Sequence, residues 1–212
     1  SAKLNFTNEG GVGHSFRVLK NIMGLWLIQE CKRIWDGQQN KYTFPELVEM
    51  SQQAPAFRSL VDPNDNRFLN PQSMPGAIAD FCTETNQPVP EKAGEFARCI
   101  FESLAFAYRK TVDGMKEISD KEINRIHIIG GGSQNELLCQ FTASATGLPV
   151  VAGPAEGTAL GNIMVQAMAK GYVKSLAGIR KIVRDSFTFK TFEPKDVQMW
   201  DENYDRFLRL TR

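Results

Sequence analysis

The sequence has no Cys-x-x-Cys pair, no apolar run of membrane-spanning length and no excess of charge of either sign. Each absence excludes something. The four cysteines, Cys31, Cys82, Cys99 and Cys139, lack the close spacing of a zinc or redox pair, so a zinc site is not expected. The best apolar candidate, residues 22–28, is far too short to cross a bilayer. A formal net charge of +1 supplies no basic field for DNA or RNA and no acidic field for cation storage. Neither a nucleic acid nor a membrane is therefore expected as a partner. The first residues are polar and do not read as a secretory leader. No internal repeat or low-complexity linker is visible. Histidine is scarce as well: His14 follows a glycine-rich turn, His127 lies in a strand-like run, and neither is read as catalytic.

What is present is ordinary for a globular chain: 42% hydrophobic and 23% charged residues. At 212 residues it forms one large domain or two small ones, with enough material for a core that needs no disulfide. Cys31, Cys99 and Cys139 stand among apolar residues at helical spacing and read as small core residues. Cys82 and Cys99 are near enough in sequence for a bridge worth about 3 kcal/mol. The rest of the sequence points to a reducing cytoplasm, where such bonds are rare.

Along the chain, residues 4–9 and 15–19 predict a β-hairpin around Gly10-Gly11-Val12-Gly13. Residues 21–35 predict a largely buried helix. Residues 43–53 predict a shorter one, with Thr43 as its N-cap and Pro45 just inside. Residues 57–71 read as a long loop with turn chemistry at Pro-Asn-Asp-Asn. Helices are expected over 75–83 and 91–118, separated by Pro88-Val89-Pro90. A strand at 126–129, a helix, a short strand at 148–151, a small-residue helix at 155–170, a helix at 175–183, a Phe-rich extended piece and a helix at 196–210 complete the order. This is an α/β layout, expected as one sheet with helices on both faces.

The segment with the most chemistry in it is RIHIIGGGSQNELLCQ, residues 125–140. An apolar strand ends in Gly130, Gly131 and Gly132 and opens into a helix. Glycines at such a place let backbone N–H groups approach a phosphate, ribose or base edge. The spacing is not the G-x-G-x-x-G of a dinucleotide fold, and no Lys follows Gly132 as a P-loop requires. From these residues alone, a nucleotide site and a tight turn without a ligand both stand.

Three segments in order, FRVLKNIMGLWLIQE (16–30), IHIIGGGSQNELLCQ (126–140) and AEGTALGNIMVQAMAKG (155–171), resemble the carboxyl-terminal domain of the FGGY carbohydrate kinases. DPNDNRFLNP (62–71) and EFARCIFESLAFAYR (95–109) follow the same pattern, and the resemblance covers essentially the whole chain. The LKNIMGLWL-x-Q run is similar to that of family members acting on L-rhamnulose. The resemblance implies an actin-like ATPase (ribonuclease H-like) domain, a mixed sheet flanked by helices and lacking its first strand. It implies ATP and Mg²⁺ as ligands, a ketose as the second substrate, and an amino-terminal domain of the same protein as partner. The activity implied is transfer of the ATP γ-phosphoryl to the 1-hydroxyl of L-rhamnulose. L-Fuculose or another ketose is the alternative substrate, and a non-catalytic nucleotide-binding or assembly module of the same fold the alternative role.

Carried over residue by residue, Gly131 looks like the glycine packed against the adenosine end of ATP, with Gly130 and Gly132 flanking it. Gln134 and Asn135 look like neighbours of the purine pocket, and Gln29 like a further ATP contact. Asn21 looks like a sugar contact. Read without the resemblance, Gln29 is a core amide of a buried helix and Asn21 that helix's N-cap. In the family the catalytic aspartate and a Ser-Gly-Thr phosphate loop precede the region matched by Leu4, so no catalytic residue is assigned in this chain. Asp62, Asp65 and Asp80 read as turn and helix-end residues. The piece alone is expected to be inactive, with a sheet edge open to self-association.

Overall fold

The computed structural model describes residues 5–38 and 40–211. Its elements run β1 (Thr7–Gly10), β2 (Phe16–Leu19), α1 (Trp26–Gly37), α2 (Phe44–Gln53), α3 (Met74–Glu84), α4 (Ala93–Ile118), β3 (Ile126–Ile128), α5 (Glu136–Thr146), β4 (Val150–Ala152), α6 (Gly157–Ala169), α7 (Leu176–Ser186), β5 (Lys190–Phe192) and α8 (Val197–Leu210). They form two compact units. The first holds the chain up to Ile123 and again from Gln198; the second is Asn124–Val197.

The first unit is built on helices. β1 and β2 pair antiparallel, Thr7 opposite Leu19 and Gly10 opposite Phe16, as the hairpin pattern predicts; the expected start at Leu4 lies outside the described residues. The helix expected from residue 21 begins only at Trp26. Gly24 adopts φ +61°, a left-handed turn that ends any helical path before it. Asn21 is consequently not an N-cap; Leu25 occupies that position and offers no side-chain cap. α2 starts as predicted, with a capping box in which Thr43 and Glu46 satisfy each other's backbone N–H. The third expected helix end differs slightly: Asp80 sits inside α3, while Asp62 and Asp65 do accept turn N–H groups from Asn64 and Arg67.

The core of this unit gathers on α4. Phe106, fully buried, meets Phe57, Trp200, Tyr204 and Phe207 at centroid distances of 5.9, 5.0, 5.8 and 5.4 Å. Aromatic packing of this kind draws α8 onto α4 and holds the far end of the chain in the first unit. Phe57 has φ +50°, an uncommon conformation for a bulky side chain. Its backbone is clamped on both sides: its N–H donates to Glu102 Oε2 at 2.8 Å and its carbonyl accepts from Arg206 Nη2 at 2.5 Å. Cys82 and Cys99 are free thiols buried inside this core, so no bridge joins them.

The second unit carries a separate three-stranded sheet, so the described residues hold two sheets where the sequence order suggests one. The hairpin strands are exposed along nearly their whole length and join no larger sheet. In the second unit β3 pairs parallel with β4 (Ile126 opposite Val150), and β4 pairs antiparallel with β5 (Val150 opposite Phe192). The sheet is therefore mixed. Its core joins Cys139 and Ala143 of α5 to Val150, Ala152 and Phe192, with Ile126 and Ile128 packed against them. α6 and α7 share a smaller cluster of Met164, Val173 and Ile179.

Candidate functional site

The chain turns sharply where β3 ends. Ile129 points outward at 55% exposure, and Gly130 follows with φ +77° and ψ −166°. That conformation is essentially closed to any residue with a Cβ. The Gly130 N–H donates to Pro154 O at 3.1 Å, which ties the turn to the segment after β4. Gly131–Gln134 then form one 3₁₀ turn. Ser133 closes it, donating its N–H and its Oγ to Gly130 O at 3.0 and 2.7 Å. Asn135 ends the turn and caps α5, its Oδ1 accepting the Leu138 N–H at 3.0 Å.

The three glycines therefore do different things. Gly130 is needed for its backbone angles. Gly132 has room for ordinary contact only, with Ile128 Cγ2 at 3.7 Å from an added Cβ. Gly131 faces open space: an added Cβ would meet nothing within 4 Å, and no left-handed φ requires a glycine there. Its glycine identity leaves bare backbone at the mouth of a single 3₁₀ turn, whose first N–H groups have no acceptor within the turn. A phosphate, ribose or base edge fits such a surface.

Beside the turn lies a cavity of about 390 Å³, lined among others by Ser133, Gln134, Glu136, Gly153, Ala155 and Lys190. Gly130, Gly131 and Gly132 do not line this cavity. Glu136 and Lys190 pair at its rim at 2.5 Å with both side chains more than half exposed, so the pair contributes little to stability. Behind the turn, Cys139 is buried with Sγ 3.8 Å from Gly132 O. Burial, aided by Glu136, pushes its thiol up to about 11, which makes it a packing residue and not a nucleophile.

The structure brings Gly130, Gly131, Gly132, Gln134 and Asn135 into one turn of the second unit, with Gly131 and Gln134 exposed. Asn135 spends its side-chain oxygen on the cap. Gln29 and Asn21 belong to the first unit. Gln29 is on the exposed side of α1, not a buried core amide, because Leu27, Ile28, Glu30 and Cys31 fill the inner face. Asn21 is exposed in the irregular segment between β2 and α1. His14 is exposed, and His127 is exposed on β3. Sequence reasoning missed the cavity wall from 152 to 156 and from 187 to 190. The Gly153-Pro154 pair, next to a strand end, is the signal that marks the first of these. Among the described residues no three His, Cys, Asp or Glu side chains converge to hold a metal ion, and no helix is long and apolar enough to cross a membrane.

The chain is similar to known proteins over most of its length. Residues 1–170 match the model of the carboxyl-terminal domain of the FGGY family of carbohydrate kinases. The rhamnulokinase of Bacteroides thetaiotaomicron is 47% identical over 209 residues, which is 99% of this chain and 42% of that protein. That of Bacillus subtilis is 42% identical over 193 residues, 91% of this chain and 39% of that protein. This chain thus spans about two fifths of the length of the curated relatives it matches. Among solved structures, a ligand-bound xylulose kinase from Lactobacillus acidophilus superposes with a TM-score of 0.70 at 13% identity, covering 97% of this chain and 41% of that one. A gluconate kinase from the same organism gives 0.67 at 13%, covering the same shares. These likenesses establish the fold as the actin-like one those kinases share.

Proposed function

Because this chain belongs to the FGGY family of carbohydrate kinases, we propose that it is the carboxyl-terminal, nucleotide-binding domain of a cytoplasmic enzyme that moves the γ-phosphoryl of ATP to the 1-hydroxyl of L-rhamnulose. The observation that carries this reading is Gly131: bare backbone at the start of a helical turn, with nothing within 4 Å of an added Cβ, at the carboxyl end of a parallel strand. Crevices at that position in α/β sheets are where nucleotides bind. The names of the similar relatives support the sugar.

In this proposal the backbone of Gly130–Gly132 supports the adenosine end of ATP. Gln134 and Asn135 border the purine, Gln29 adds an ATP contact and Asn21 a contact to the ketose. The base that takes the proton from the sugar hydroxyl, the phosphate-cradling loop and the groups that hold Mg²⁺ come from the amino-terminal part of the same protein. What this chain supplies is orientation and preorganised N–H groups, the main currency of phosphoryl-transfer catalysis. Alone it binds nucleotide weakly and turns nothing over.

The test is a comparison of ketoses with the full-length protein, reading ADP release. The kcat/KM is highest for L-rhamnulose, and Gly131→Leu raises the KM for ATP by about tenfold or more, equivalent to roughly 1.4 kcal/mol. Higher efficiency on L-fuculose would reassign the sugar. An unchanged KM for ATP in the Gly131 variant would remove the nucleotide site from this turn.

A further inference from the structure

The segment that carries Asn21 has no regular structure, yet the 62–68 loop grips it by hydrogen bonds. Residues between β2 and α1 make no strand or helix. Hydrogen bonds tie this segment and the start of α1 to the 62–68 loop: Met23 N–H donates to Asn64 Oδ1 at 3.2 Å, and Trp26 Nε1–H donates to Phe68 O at 3.2 Å. Asn64 is in turn seated by Asp62, whose Oδ1 accepts the Asn64 N–H at 3.0 Å while its carbonyl accepts the Asp65 N–H at 3.1 Å. The loop does not float. Its root is bound inside the core, where Leu60 N–H donates to Gln87 Oε1 at 3.0 Å and Val61 N–H donates to Ser103 Oγ at 2.9 Å. Asp62 itself is partly buried, with the charges of Lys110 and Lys20 nearby, and Lys110 is anchored by donating to Thr211 O and Oγ1.

Asn64 is exposed, so packing does not account for its side chain. What it does is accept one N–H, two residues after Asn21, from a platform rooted in α4. We propose that Asn64, seated by Asp62, is a positioning residue that holds the Asn21 segment at the geometry needed to engage the sugar. The proposal rests on the reading of Asn21 as a sugar contact. It predicts that the loop acts on the sugar and not on the nucleotide, because the bond it makes is to the segment bearing Asn21.

The experiment uses the full-length protein and separates the two substrates. Asn64→Ala raises the KM for the ketose about fivefold, the worth of one hydrogen bond of ordinary strength. The KM for ATP and the melting temperature stay at their parent values. Asn64→Asp, which keeps an oxygen acceptor for the Met23 N–H, restores the ketose KM to within about twofold of the parent. Asn21→Ala is the control for the underlying reading. If Asn21→Ala raises the ketose KM and Asn64→Ala does not, the positioning role is overturned while the sugar contact stands. If Asn64→Ala raises both KM values together or lowers the melting temperature, Asn64 is only a structural stitch and the proposal is overturned. If Asn21→Ala leaves the ketose KM unchanged, the sugar contact fails first and the proposal falls with it.

Discussion

The first unit encloses a deep aromatic core; the second encloses a small, mostly aliphatic one. Phe57, Phe68, Phe101, Phe106, Trp200 and Phe207 are all buried in the first unit. In the second, Phe192 is the aromatic residue its small sheet core buries; exposed large side chains occur in both units, Phe16 at 80% and Leu69 at 60% in the first, Tyr172 at 85% and Ile163 at 61% in the second. Buried charge is divided the same way. The buried carboxylates Glu30 and Glu102 are in the first unit, whereas the buried polar residues of the second, Thr142 and Ser144, are hydroxyls. The difference teaches that the deep core and the exposed glycine turn are carried by different parts of one chain. The first unit has a deep core to stabilise it. The second has a modest core beneath a turn whose geometry is set by glycines and hydrogen bonds.

The largest expected effect tests the cores. Phe106→Ala removes a ring in contact with four others and costs about 3–5 kcal/mol. Because Trp26, Trp35 and Trp200 all belong to the first unit, tryptophan fluorescence during urea unfolding reports that loss. Phe192→Ala, in the smaller core, costs about 3 kcal/mol or less and shows as faster amide exchange in β4, with little movement of the fluorescence transition. Equal fluorescence shifts for the two variants would erase the distinction between the units.

A smaller effect follows from pH. Burial outweighs Arg98, the Phe57 N–H and Arg206 and pushes the Glu102 carboxyl up to about 7, from an ordinary glutamate value of 4.5. The folded state thus keeps a proton that the unfolded chain releases between those values. The contribution is fully present below pH 4.5 and is lost as pH rises through about 7; by linkage it amounts to at most roughly 3 kcal/mol. Glu102→Gln mimics the protonated form, retains an acceptor for Phe57, and flattens the fluorescence-monitored stability over that interval. A slope unchanged in the variant would move the titration to another group.

How far these features were legible depends on whether they are local. The α2 capping box, the 3.6-residue period of α4 and the apolar run of β3 are local, and all three are written in residue types at fixed spacing. The start of α1 was misplaced because the apolar run 22–28 continues through Gly24, and only the backbone angle there reveals the break. The count of sheets was misjudged because pairing partners are tertiary information: nothing in residues 7–19 says whether that hairpin joins β3. At the candidate site the triple glycine was plain, but the separate job of each glycine was not. Spacing cannot tell a glycine required for φ from one required for bare space. The burial of Gln29 was misjudged for a related reason, since an apolar neighbourhood in sequence does not fix which side of the helix a residue takes.

The finest contrast lies inside the turn itself, between adjacent residues. Gly130 sits at φ +77° and ψ −166°, so Gly130→Ala strains the backbone by about 1–3 kcal/mol and loosens the link between its N–H and Pro154 O. Gly131 has no left-handed φ and no neighbour within 4 Å of an added Cβ; a valine there extends from open space and changes stability by roughly 0.5 kcal/mol or less, as surface substitutions do. On stability alone the first residue matters and the second does not. Nucleotide reverses the order of interest. A ligand that binds only the folded state raises the melting temperature in proportion to its affinity. If Gly131 faces ATP, the Gly131→Val protein melts with the parent when nucleotide is absent and loses the parent's upward shift when millimolar ATP or ADP is added. Both halves must hold. A variant that is destabilised without nucleotide means the space in front of Gly131 is filled by the protein itself. A variant that keeps the full shift means the nucleotide lies elsewhere, and the glycines are a turn and nothing more.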